Sequence, residues 1–294
     1  MIFLLLSILS SAAIYVVFKL VDRYRVFTFS AIVINYFVAC LAGFFLSNSN
    51  PFTLDVFTQK WTPIALLVGV MFIIMFYVIA KSTQKAGVTV TTVAVKMSVV
   101  FPIAFSVWYD ANDSLSLLKL LGIALALLSV LLTVYKKNGR VFTSRAVLLP
   151  AFLFVGMGVV DSFVKYAQSA YITDELASTF STIVFANALV VGLLILPFNK
   201  PALKSIIKVK TWGLGALLGI ANFGSIYFLL RALNHIDINT GRQAMGSVVF
   251  GINNIGIVAL SVIIGFLAYK ERPLRINWLG IALSGVSIAV LAVS

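Results

Sequence analysis

Two ionisable side chains stand inside long apolar stretches of the sequence. Lys96 is the one charged residue of TTVAVKMSVVFPIAF (91–105), and Asp161 is the one acid of VGMGVVDSFVKYA (155–167). A charged side chain at the centre of a membrane helix costs about 2.5–3.5 kcal/mol on insertion scales, so each is a functional candidate by default. An ammonium and a carboxylate facing one cavity suit a zwitterion such as an amino acid. With Asp161 protonated, the lysine alone suits an organic anion. Asp161 is also the deep group able to carry a proton, which makes it the proton-coupling candidate. The alternative is a buried ion pair that only holds helices together, a weak stabiliser after desolvation though costly to break.

Uncharged polar residues accompany the pair: Tyr15, Asn35, Asn187, Asn222, and Asn253 with Asn254 in GINNIGIV. Each is a substrate-binding candidate. Each could equally be interhelical hydrogen-bond glue, worth about 0.6 kcal/mol on average. Hydrolytic chemistry needs paired carboxylates, a nucleophile with its base, or a metal cluster. The sequence has one cysteine (Cys40), one histidine (His235), no HExxH and no glycine-rich phosphate loop, so neither an enzyme nor a metal or cofactor site is expected.

The elements that must position these residues are membrane helices. Of 294 residues 61% are hydrophobic and only 11% charged, and the mean hydropathy is +1.08; soluble domains are about a quarter charged. Ten apolar segments of bilayer length, about 20 residues, run at 2–20, 28–47, 62–81, 89–109, 116–135, 147–168, 176–197, 211–232, 243–268 and 275–293. The first lacks a basic leader region and is taken as a helix, not a signal peptide. Pro102 is placed to kink the fourth, because it removes a backbone donor. The expected fold is all-α and integral to the membrane, leaving no room for a soluble domain.

Internal similarity divides the chain. SAIV (30–33) returns as STIV (181–184), YVIAK (77–81) as YFLLR (227–231), LGIAL (121–125) unchanged at 279–283, and YVVFKL (15–20) as DSFVKY (161–166). The offsets are 151, 150, 158 and 146, in one order along the chain. They predict two five-helix repeats, 1–138 and 139–294. Five is odd, so the second repeat starts from the opposite side of the membrane, an inverted arrangement that places binding sites near the midplane. The repeat aligns Tyr15 with Asp161 and Lys96 with Asn254, and brings Asn35 and Asn187 within one residue of each other. The jump in offset to 158 puts about eight extra residues near INTGRQAMG (238–246), ahead of a glycine-bearing ninth helix.

The closing stretches of the halves, DSLSLLKLLGIALALLSVLL (113–132) and ERPLRINWLGIALSGVSIAVL (271–291), resemble the terminal motif of EamA-type proteins of the drug/metabolite transporter superfamily. Asp113 and Glu271 stand where that motif has its acid, and Lys19, Lys165 and Pro102 also fit. Where many relatives carry an arginine in the second helix, this chain has Asn35 and Tyr36. The resemblance implies a ten-helix secondary transporter that exports small metabolites, in the inner membrane of a bacterium, as a monomer or homodimer. The expected partners are a small-molecule substrate and the lipid bilayer.

The net charge of +13 does not imply nucleic acid, because it is distributed by side. Sixteen of the 22 lysines and arginines fall on the odd-numbered connections. By the positive-inside rule that side is cytoplasmic, which places both termini outside, opposite to the usual description of the relatives. Labelling checks this: in a Cys40→Ala background, Asn138→Cys in intact cells is expected to stay unmodified by an impermeant maleimide. Rapid modification would reverse the orientation.

Overall fold

An apolar chain in lipid must satisfy its backbone internally, and helices do so segment by segment. The structure, a computed structural model, describes residues 2–47, 50–109, 116–135, 145–172, 174–233 and 246–293, and among these it is helical without strands. The helices are α1 (Ile2–Arg23), α2 (Thr28–Leu46), the single turn α3 (Leu54–Phe57), α4 (Thr62–Lys85), α5 (Val88–Met97), α6 (Val100–Tyr109), α7 (Leu117–Val134), α8 (Arg145–Ala170), α9 (Asp174–Ile195), α10 (Lys200–Ile206), α11 (Val209–Leu233), α12 (Gly246–Tyr269) and α13 (Arg275–Val293). Among the described residues, eight spans are long and apolar enough to cross a membrane, α5 and α6 together forming one of them. Two further apolar helices, Leu117–Thr133 and Arg275–Leu291, are shorter. The protein is an integral membrane protein. Asp113, Asn138, His235 and residues 238–245 lie outside the described residues.

Facing pairs fix the directions of the helices. Between α2 and α9, Gly43 meets Thr182, Gly192 meets Val33, and the Ser47 and Ser178 hydroxyls lie 2.9 Å apart. The residue numbers of each pair sum to 225, as only antiparallel helices allow. Helix α4 runs parallel to α9, with Trp61 on Phe180, Gly69 on Asn187 and Ile73 on Gly192. Helix α2 likewise runs parallel to α11, with Ile34 on Gly215 and Val38 on Gly219. Consequently α4 and α11 run in opposite directions, as do α2 and α9.

Contacts also correspond crosswise. Helix α1 packs on α11 and α12, as α8 packs on α4 and on α5 with α6. The sharpest case is the antiparallel pair α7 and α13. Gly122 packs on Leu291 and Gly280 on Thr133; adding 158 to 122 and 133 gives 280 and 291, so each contact is the other with the halves exchanged. Gly69 on Asn187 and Gly219 on Asn35 form a second such couple. Small residues let helix backbones approach where lipid offers no hydrophobic drive to associate.

The two members of the α7–α13 couple differ in what a side chain would strike. A Cβ at Gly280 would stand 2.6 Å from the Thr133 backbone nitrogen and 2.8 Å from the Ser129 carbonyl oxygen, both fixed in helix α7. One at Gly122 would stand 2.6 Å from Cδ2 of Leu291, the end of a flexible side chain. Gly280→Ala should therefore cost about 1–3 kcal/mol and Gly122→Ala clearly less, read from denaturation midpoints in detergent. Equal costs would contradict this helix register.

Candidate functional site

The site is built on an interrupted helix. Pro102 has no N–H to give to the carbonyl four residues back, that of Ser98. The amide of Phe101 takes that carbonyl instead, at 2.9 Å, and Ile103 N donates to Val99 O at 3.3 Å. The fourth apolar segment thus divides at Ser98–Val99 into α5 and α6, where the sequence suggested a single kinked helix over 89–109. In the threonine-rich start of α5 the hydroxyls are satisfied within the helix, Thr91 donating to Gly87 O at 2.8 Å and Thr92 to Val88 O at 2.9 Å.

The break gives α5 a C-terminus inside the protein, and Lys96 lies in its last turn. The end of a helix carries roughly half a unit of negative charge, which favours a cation there. Lys96 is half-buried. Asp161, half-buried on α8, faces the same break: the Ser98 hydroxyl lies 3.2 Å from Oδ2 of Asp161 and 2.6 Å from the Val95 carbonyl oxygen, to either of which it can donate. From α1, the buried Tyr15 hydroxyl lies near the Thr92 side chain and within range of the Asp161 charge. Tyr15, Thr92, Lys96, Ser98 and Asp161 therefore converge from three helices.

Lys96 and Asp161 feel each other's charge but do not touch. A contact ion pair is formed elsewhere, between Lys19 and Glu271 at 3.9 Å. Lys96 and Asp161 thus form no contact ion pair; the Ser98 hydroxyl, at the end of α5, is the group that meets the Asp161 carboxylate.

The asparagines divide. The side-chain amides of Asn35 and Asn222 meet at 3.2 Å between α2 and α11. With its amide turned about the Cβ–Cγ bond, Asn35 instead donates to the Leu218 carbonyl at 3.2 Å. Asn187 donates to the Leu66 carbonyl of α4. These three join helices and answer to the glue reading. On α12, Asn254 is half-buried, while Asn253 is buried with its Oδ1 lacking a hydrogen-bond partner. A buried acceptor left unpaired costs about 1–3 kcal/mol, which keeps Asn253 a candidate.

The far end of α5 is closed by a residue singled out from sequence only through a motif. Glu271, just beyond α12, accepts from Val88 N at 2.7 Å through Oε1 and from Thr89 N at 3.3 Å through Oε2. It supplies from another segment the cap that α5 lacks locally. Gly87, at φ +110°, is the turn that lets the carboxylate in; a Cβ there would stand 2.8 Å from Oε1. Lys19 of α1 completes the clasp, its ammonium also lying 5.6 Å from the centre of the Tyr269 ring. The Tyr269 hydroxyl donates to Val16 O at 3.3 Å. Sequence reasoning missed Ser98, whose signal is its place four residues before Pro102, and Thr92, one turn before Lys96.

No family model matches the chain. A Haemophilus influenzae protein described as uncharacterized is 28% identical over 289 residues, spanning 96% of this chain and 94% of the relative. A solved crystal structure of a protein, 14% identical, has a TM-score of 0.52 with each chain covered to 97%. At that identity the likeness shows the fold alone.

Proposed function

We propose that the chain is a secondary transporter of a small polar metabolite, amino-acid-like or an organic anion, working by alternating access around a midplane site. In this reading it has ten membrane spans in two inverted five-helix repeats and is an EamA-type member of the drug/metabolite transporter superfamily. The crosswise contacts and the opposed directions of α4 and α11 support the repeat. The two shorter apolar helices, about 26 Å long at 1.5 Å per residue, come near the ~30 Å hydrocarbon core and serve as the fifth and tenth spans.

The observation that carries the function is the convergence of Lys96 and Asp161 on a helix break. Discontinuous helices that offer a terminus to the substrate or coupling ion are the membrane-protein form of an ion site. Lys96 would hold a substrate carboxylate. Asp161 would hold an amino group or exchange a proton, with Ser98, Tyr15 and the α12 asparagines Asn253 and Asn254 orienting the remainder. Because Lys96 and Asp161 stand apart, a ligand carrying both charges can enter between them without first breaking a contact ion pair. No ATP-binding motif is present in the sequence, so uphill movement would draw on an ion or solute gradient, and the family resemblance favours export across a bacterial inner membrane. The competing reading keeps the two charges as structural glue; the polar bonds of Asn35, Asn222 and Asn187 show that this membrane interior does use such glue.

Uptake of a metabolite panel into proteoliposomes, with and without a pH gradient, tests the proposal. Lys96→Met keeps the side-chain volume and removes the charge. It should still fold, and binding of an anionic or zwitterionic substrate should fall by at least about 10-fold, 1.4 kcal/mol. Asp161→Asn should lose any response to the pH gradient. Undiminished transport in both variants would reduce the pair to glue.

A further inference from the structure

The segment joining α9 to α11, residues 198–212, is fastened to the protein on one side and presents a basic and apolar face on the other. The Asn199 side chain caps α10 by accepting from Ala202 N at 3.2 Å, and Ala202 and Ser205 are buried. Ser30 of α2 donates to the Ala202 carbonyl at 2.8 Å, Phe27 N donates to the Ser205 hydroxyl at 3.4 Å, and Ser205 and Thr211 share a hydroxyl contact of 3.1 Å. The segment is therefore held in place independently of what it faces.

Its outer side carries Lys200, Lys204, Lys208 and Lys210, all exposed. Between them stand Phe198, 90% exposed, Ile207, 80%, and Val209, 85%. No acidic residue occurs in the sequence between Glu175 and Asp237. An internal partner for these lysines is not supplied along this stretch.

The equivalent position in the first half gives a built-in comparison. Helix α3 precedes α4 as α10 precedes α11, and it too exposes apolar side chains, Leu54 and Phe57. Its surroundings (residues 50–61) carry Asp55 and Lys60 and no other charge. Because α4 and α11 run in opposite directions, these short helices lie at opposite ends of the molecule. Both are apolar enough to rest at a membrane surface; only one is basic. A hydrophobic requirement alone does not explain that difference, whereas an anionic surface at one end does.

We propose that residues 198–212 dock on the anionic phospholipid headgroups of the leaflet at that end. The four lysines meet lipid phosphates while Phe198, Ile207 and Val209 enter the boundary between headgroups and acyl chains, as in interfacial helices. Trp212, which packs edge-on against Phe37 at 5.9 Å and is itself exposed, stands beside this face as a natural reporter.

The test uses the full-length protein in vesicles of brominated phosphatidylglycerol or brominated phosphatidylcholine mixed into a neutral lipid. The fluorescence difference between the wild type and Trp212→Phe isolates the Trp212 signal. That signal should be quenched at a several-fold lower mole fraction of the anionic lipid than of the zwitterionic one. The preference should vanish when Lys200, Lys204, Lys208 and Lys210 are all changed to glutamine, persist when they are changed to arginine, and be unaffected by Lys60→Gln. A detergent denaturation midpoint equal to that of the wild type establishes that the glutamine variant is folded. Equal quenching by the two lipids in the wild type, or an unchanged preference in the folded glutamine variant, would overturn the proposal. Abolition of the preference by millimolar inorganic phosphate would also overturn it, assigning the lysines to a soluble anion.

Discussion

The structure depends on one missing hydrogen-bond donor. Pro102 cannot bond to the Ser98 carbonyl, which Phe101 N takes in a tighter turn, and the fourth apolar segment divides there into α5 and α6 with an interior helix terminus. That terminus sets the local electrostatics. It offers negative partial charge to Lys96, in the final turn of α5, before any counter-ion is considered. Asp161 and Ser98 then act on an ammonium that the backbone already favours. A lysine in the middle of an unbroken helix would have only side chains to compensate it and would need a close ion pair. Here Asp161 stands beyond ion-pair distance of Lys96 and meets the Ser98 hydroxyl instead.

The other end of α5 is treated with equal care. Its first amides are met by Glu271, which the chain supplies from beyond α12, and Lys19 and Tyr269 tie the same point to α1. The short helix α5 therefore has one end at the polar site and the other clasped to α1 and to the segment beyond α12.

Much of this was legible in the sequence. The all-helical, apolar character was readable from composition, and the LGIAL offset of 158 recurs in the contacts of Gly122 with Leu291 and Gly280 with Thr133. Lys96 and Asp161 were visible because charge is rare in apolar runs, and Tyr15 because the repeat aligned it with Asp161. The rest depended on geometry that spacing does not encode. Asn222 has an apolar counterpart, Phe72, in the first half, and nothing in the repeat joins it to Asn35; their contact follows from how α11 lies along α2. Glu271 was visible as a motif residue, but that its carboxylate caps α5 requires knowing that the ends of α5 and α12 adjoin. The distance between Lys96 and Asp161 was equally hidden, because opposite charges in a row of helices invite a contact pair and only the break makes another solution available.

If the proposed transport holds, the broken helix lies where water and substrate reach it from each side of the membrane in turn. Val99, half-buried at the break, reports on this most directly. In a Cys40→Ala background, Val99→Cys should react with a small impermeant thiol reagent added to either face of a sealed, uniformly oriented vesicle, and transported substrate should change both rates, in opposite senses. A cysteine there that reacts from neither face, or from one face at a rate indifferent to every transported solute, would contradict the account.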